Sequence, residues 1–260
     1  MVDIIVCLKQ TADVNQVRPH PETLEPQLGQ APRKISDFDL NALEEALRIK
    51  EKHGGRVVAV CVGHDIQQLL IREALAMGAD EAYVVSDPRL EKADGLVTAE
   101  TLAALIKKIG KWDLILCGEA SLDESAYQTG PRLAEIFNIP HITYAVRAEL
   151  EDGGIKVWKA MEGGIHVVKA SLPAVLAVGL EINTPRLPSL LMIRAASRKP
   201  IHEVKLSELG LSEEQLTPAV ETLQVKALKV ERRRITLEGE PEELAQKLAE
   251  ILVQEGLVKK

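Results

Sequence analysis

Four short apolar runs, at residues 4–8, 57–62, 82–86 and 113–117, alternate with segments whose apolar residues recur at helical spacing. Runs such as IIVCL and VVAVCV show no polar alternation. They are predicted as strands buried on both faces, which belong in parallel sheets covered by helices. Between the first two runs, DLNALEEALRIKEKHGG sets Leu40, Leu43, Ala46, Leu47 and Ile49 on one stripe and stops at Gly54-Gly55. Glu44 and Glu45 of this helix are expected on its solvated side. DIQQLLIREALAMGAD repeats the pattern, with Asp65 as the expected cap and Gly78 as the stop. Further helices are predicted over about 94–110 and 125–137. This alternation specifies a doubly wound α/β fold: a parallel sheet with right-handed crossovers.

After residue 142 the pattern changes. ITYAVRAEL, GIKVWKAM, GIHVVKASL and AVLAVGLE read as strands, and the turns EDGG and EGG carry hairpin chemistry. The two prolines of INTPRLPSL favour an extended loop, with a short helix expected near 189–196. Residues 200–238 look loosely organised. The closing EPEELAQKLAEILVQEGLVKK is an amphipathic helix with apolar Leu244, Leu248, Ile251 and Leu252. We therefore expect an α/β domain over 1–200, with an added antiparallel hairpin region. Residues 201–260 are expected to form a connector and helix that dock on another chain.

Composition narrows the functions. Aromatic residues are only 3% of the 260, so stacking platforms for single-stranded nucleic acid are not expected. A net charge of −7 argues against a phosphate-backbone partner, and the basic runs at 232–234 and 259–260 are short and read as solvated surface. No apolar stretch approaches the roughly 20 residues of a membrane span. MVDIIVCLKQ reads as a strand without the basic leader and cleavage site of a signal peptide. Cys7, Cys61 and Cys117 each sit in an apolar strand run. They are expected as buried small hydrophobes in a reducing, cytoplasmic compartment, not as a disulfide or a metal cluster.

In a parallel sheet, ligands bind beyond the carboxyl ends of the strands. Such ends fall at residues 7–13, 62–65 and 117–121. The third opens CGEASLDESAYQTGPRLAE, where Gly118 permits close approach and Asp123, Ser125 and Gln128 offer polar partners. Thr129-Gly130 presents amides at a helix start, which favours a phosphate. The alternative is a long capped loop that binds nothing. His20, His53, His64, His141, His166 and His202 are scattered without metal-like spacing, and no GxSxG, Walker or GxGxxG motif occurs. The residues thus describe a nucleotide-binding α/β protein without acid–base machinery.

Six segments carry a family resemblance: VCLKQTAD, DFDLNALEEALRIKE, REALAMGAD, GEASLDESAYQTGP, MEGGIHVVKASLPAV and NTPRLPSL. In this order they resemble the β subunit of electron transfer flavoproteins over nearly the whole chain. The resemblance implies an adenine-nucleotide-binding fold and a heterodimer with an α subunit that holds the redox-active FAD. It implies a nucleotide in this chain too: AMP in ordinary carriers, or a second FAD in electron-bifurcating members, where NADH can reduce it. QTGP and RLPSL are similar to the bifurcating members and point to FAD ahead of AMP.

The cofactor residues so implied are Cys7, Lys9 and Asp13; Ser36, Asp37, Phe38 and Asp39; Val62 and Gly63; and the run Gly118, Glu119, Ala120, Ser121, Leu122, Asp123, Glu124, Ser125, Ala126, Tyr127, Gln128 and Thr129. The chain departs from the family pattern at Ala12, Ser36-Asp37, Glu119-Ala120 and Ser125. The function implied is an electron carrier subunit, not an enzyme by itself, with a dehydrogenase or quinone oxidoreductase as redox partner. The NTPRLPSL loop, the hairpin and the tail are expected against the α subunit, with Arg186 and Arg194 near its flavin domain. An ATP-handling or nucleotide-sensing module of the same fold is the other reading.

Overall fold

The computed structural model describes residues 1–229 and 234–258. In chain order its first half comprises β1 (Ile4–Leu8), β2 (Gln10–Ala12), β3 (Arg33–Ile35), α1 (Asp37–His53), β4 (Val57–Gly63), α2 (Gln68–Met77), β5 (Glu81–Ser86), α3 (Gly95–Ile109), β6 (Leu114–Gly118) and α4 (Thr129–Phe137). There follow β7 (His141–Glu151), β8 (Gly154–Met161), β9 (Gly164–Ser171), β10 (Ala174–Val178), α5 (Leu190–Ala196), β11 (Ile201–Glu203) and α6 (Pro241–Gln254).

A nine-stranded sheet runs in the order β11-β5-β4-β1-β6-β10-β7-β8-β9. Its β11-to-β7 portion is parallel. Strand pleating sends Ile4, Val6 and Leu8 into a core shared with α1 and α2, and Ile5 and Cys7 into a second core shared with α3 and α4. Both faces are thus covered, and the unbroken apolar strand runs follow from that. Each fully buried Leu or Ile contributes about 1.5–3 kcal/mol.

The strands of 142–179 divide between two roles. β7, β8 and β9 form an antiparallel meander through the two glycine turns. β10 instead returns into the sheet between β6 and β7, parallel to both. β7 serves both partners: its first half pairs with β10 and its second with β8. The ladder is irregular where it changes hands, beside Tyr144 at φ 56°.

Several expectations are corrected. Glu44 and Glu45 are buried, not solvated, because residues from the loop after β10 cover them. Asp65 does not cap α2. It stands three residues before the helix, at φ 46°, and pairs with Arg33 at 3.2 Å. Helix α4 begins at Thr129, four residues later than predicted, because Ser125 and Tyr127 hold left-handed backbone. Past residue 200 the chain adds β11, which pairs with β5, and Val204 and Leu206 are buried beyond it. Of the two basic runs, only Arg234 lies among the described residues, where it is exposed.

Candidate functional site

Chain order reverses between β1 and β6: from β1 the chain proceeds outward through β4 and β5, then crosses back to β6. A crevice therefore opens beyond the carboxyl ends of these strands. It has a volume of about 590 Å³, within the range of ligand sites.

Asp39, in the first turn of α1, holds its floor together. One carboxylate oxygen accepts from the Gly118 amide at 2.9 Å and the other from the Lys9 amide at 2.8 Å, which ties the ends of β6 and β1 together. Burial raises the Asp39 pKa to about 7; the two amides and the Lys9 charge oppose that rise but do not overcome it. Gly118 has a reason of its own: a Cβ there would lie 2.5 Å from Phe38 Cβ and 2.7 Å from Asp39 Oδ1. The missing side chain thus admits the start of α1, where the sequence suggested room for a ligand.

The loop from 119 to 128 forms one wall. Lys9 Nζ reaches across to Ser121 Oγ at 3.3 Å, Asp123 Oδ1 at 3.0 Å and Glu124 Oε2 at 2.9 Å. Desolvation lowers the Lys9 pKa, but the two carboxylates outweigh it and the net shift is upward. Ser125 turns inward on the loop, giving both its amide and its hydroxyl to the Ser121 carbonyl. Glu119 contributes an unusual group: its Oε2 is buried without a hydrogen-bond partner. Burial and the nearby Glu181 both raise its pKa.

Two helices start beside the end of this loop. α3 is capped by Asp94, which accepts from the Leu96 and Val97 amides, both at 2.9 Å. No side chain caps α4; the Gln128 side-chain oxygen instead accepts from the Arg132 guanidinium. Gly130 lets the start of α4 press against the sheet, where a Cβ would stand 3.1 Å from Cys117 Sγ. The charged lining sets Lys9 and Arg33 against Asp39, Glu91, Asp94, Glu119, Asp123 and Glu124. An anion in this crevice must therefore draw on amides and helix starts more than on cations.

Of the residues predicted for the site, Cys7, Lys9, Asp39, Val62, Gly63, Gly118, Glu119, Ser121, Asp123, Glu124, Ala126, Tyr127, Gln128 and Thr129 line the crevice. Asp13, Ser36, Asp37 and Leu122 instead surround a separate narrow depression with Lys34. Asp13 there bonds Asn15 and Gln16, and Asp37 pairs with Lys34. Phe38, Ala120 and Ser125 reach neither space. Sequence reasoning missed Leu28 of the β2–β3 connection, Arg33 at the start of β3, and the wall formed by Leu90, Asp94, Gly95 and Thr98. That wall had a readable signal: β5 is a fourth parallel strand end, and Asp94-Gly95 opens the helix after it.

Among the described residues no group of His, Cys, Asp and Glu could hold a metal, and no helix is long and apolar enough to cross a membrane. All three cysteines are free and buried, and burial pushes the Cys61 thiol up to about 12. Arg186 is engaged away from the crevice, with Glu44 at 2.7 Å and with Glu51. Arg194 is exposed.

A switch-point crevice with an uncapped helix start defines a doubly wound α/β protein of the nucleotide-binding kind. Residues 29–209 match the electron transfer flavoprotein domain family. The chain is 38% identical to an electron transfer flavoprotein subunit beta of Thermoanaerobacterium thermosaccharolyticum, over 81% of this chain and 84% of that one. It is 33% identical to the subunit beta of Bacillus subtilis, over 99% and 100%. A caffeyl-CoA reductase–Etf complex subunit, CarD, of Acetobacterium woodii is 38% identical over 81% of each chain. The chain belongs to the electron transfer flavoprotein family and is similar to its beta subunits.

Proposed function

We propose that this chain is the β subunit of a heterodimeric electron transfer flavoprotein and holds a nucleotide of its own, FAD ahead of AMP, in the crevice between β1 and β6. The observation that carries this reading is the uncapped start of α4, set against the sheet by Gly130 on an otherwise acidic lining. Its amides suit a phosphate or pyrophosphate. When bound, a flavin supplies the redox chemistry; the chain's own part is to position it.

The mate is an α subunit carrying the second, mobile FAD. Electrons enter from NADH or a dehydrogenase and leave to a dehydrogenase or quinone oxidoreductase. Three exposed apolar features support docking on a partner: Leu187, Leu190 and Leu191 around the start of α5, Ile165 and Val167 on edge strand β9, and α6, which buries none of its residues. We take residues 201–260 as a connector and docking helix, with α6 as the docking tail, and place the protein in the cytoplasm, as its free thiols suggest.

The test is to co-express the chain with an α subunit, release the bound nucleotides with acid and identify them by mass. Two FAD per heterodimer are expected for a bifurcating carrier, one FAD and one AMP for a simple one. A well-folded pair without any nucleotide beyond the α subunit's FAD would refute the assignment of the crevice.

A further inference from the structure

Asp94 does more than cap α3. While its Oδ1 accepts from the Leu96 and Val97 amides, its Oδ2 accepts from the amides of Ala219 and Val220, at 2.9 and 3.2 Å. Those two residues belong to the segment leading into the C-terminal tail, more than 120 residues away in sequence. The same segment is fastened at two further points. Gln215 Nε2 donates to Glu100 on α3 at 3.0 Å, and the Ala227 amide donates to the Leu24 carbonyl, in the connection between β2 and β3, at 2.8 Å. Asp94 and its neighbours Gly95 and Thr98 line the crevice. One carboxylate thus joins the helix start that faces the ligand space to the strap that leads to the docking tail.

We propose that Asp94 is a positioning residue that couples the crevice to the tail. A nucleotide bearing on the first turn of α3 orders Asp94, and Asp94 in turn fixes the strap through Ala219 and Val220. By linkage, a fixed strap strengthens nucleotide binding by the same factor. The inference rests on the crevice holding a nucleotide, as proposed above.

A cap alone and a coupling residue differ in their response to Asp94→Asn. Asparagine caps helices as well as aspartate does, so the bonds to Leu96 and Val97 persist. Its other terminal atom is an NH₂ group that cannot accept from Ala219 and Val220. A second variant, Ala219→Pro, deletes one strap donor and leaves Asp94 untouched.

The experiment measures amide exchange along the full-length chain with and without saturating AMP or FAD, together with the affinity for each by calorimetry. In the parent protein the better-binding nucleotide slows exchange at Ala219 and Val220. In Asp94→Asn, Val220 and Ala219 exchange at least about 5-fold faster, the nucleotide no longer slows them, and its affinity falls by about 5-fold, a modest allosteric coupling. Ala219→Pro lowers affinity in the same direction with exchange at Leu96 and Val97 unchanged. The coupling is overturned if nucleotide binds but leaves Ala219 and Val220 unaffected, or if Asp94→Asn matches the parent in both measurements. A folded chain that binds neither AMP nor FAD overturns the reading of the crevice and the coupling with it.

Discussion

Replacing Asp39 with asparagine removes a charge from the floor of the crevice while keeping its shape. In the folded protein the carboxyl has a pKa of about 7, raised by burial, whereas an unfolded aspartate titrates near ~3.9. The folded state therefore holds the proton more tightly than the unfolded state. The Asp39 contribution to stability is most favourable below about pH 4, declines as pH rises, and levels off above about pH 7. The slope is about 1.4 kcal/mol per pH unit, so between about pH 5.5 and pH 8 the parent protein loses about 2 kcal/mol through this group. The asparagine variant does not titrate there. Its NH₂ group faces one of the two backbone amides, Gly118 or Lys9, which costs about 1–3 kcal/mol at any pH. Urea midpoints measured at both pH values should show the variant clearly less stable at about pH 5.5, and the gap narrowed by about 2 kcal/mol at about pH 8. An equal gap at the two pH values would show that Asp39 does not titrate near neutrality in the folded chain.

Gly118→Ala should destabilise by about 1–3 kcal/mol, since the new methyl meets Phe38 and Asp39 in the first turn of α1; an unchanged thermal melt would mean that this turn yields. Lys9→Met frees the wall loop from its cation, so nucleotide affinity should fall by about 10-fold while stability changes by less than about 1 kcal/mol, because the lysine is 37% exposed and its ion pairs are screened. Loss of affinity accompanied by a large fall in urea midpoint would contradict that split. Arg186→Met leaves Glu44, whose side chain is 4% exposed, with Arg48 at 2.8 Å as its remaining ion-pair partner, and should cost about 1.5–3 kcal/mol near pH 7. Burial raises the Glu44 pKa, but Arg186 and Arg48 outweigh it and hold it below the usual carboxylate range. Its stabilisation is present above about pH 4.5 and lost as pH falls through the folded value, so the gap between parent and variant should close on acidification. Denaturant titrations at the two ends of that range would show a constant gap if Glu44 were not the charge involved.

The parallel sheet was legible because strands buried on two faces leave unbroken apolar runs, and the helices because one stripe repeats along each. What failed to show were contacts between distant segments. Glu44 and Glu45 look solvated within α1, and only Arg186 and Asn183, about 140 residues on, make them interior. β2, β3 and β11 are three residues each, too short for any periodicity. β10 reads like the strands before it, yet it turns back into the sheet, and nothing local to AVLAV distinguishes the two outcomes. In the crevice, the loop after β6 was found because its glycine and polar residues stand out. The wall from Leu90 to Thr98 was missed although it follows the same strand-end rule.

The unburied helix α6 has a cellular implication on the reading proposed above. Its apolar row of Leu244, Leu248, Ile251 and Leu252 includes no buried residue, which suits a surface that another protein covers. A copy synthesised in excess of its mate would keep that row on display, where chaperones and proteases act on exposed hydrophobic segments. Surplus copies would then be cleared after translation, and matched amounts of the two subunits would follow from this helix even if their synthesis were unequal.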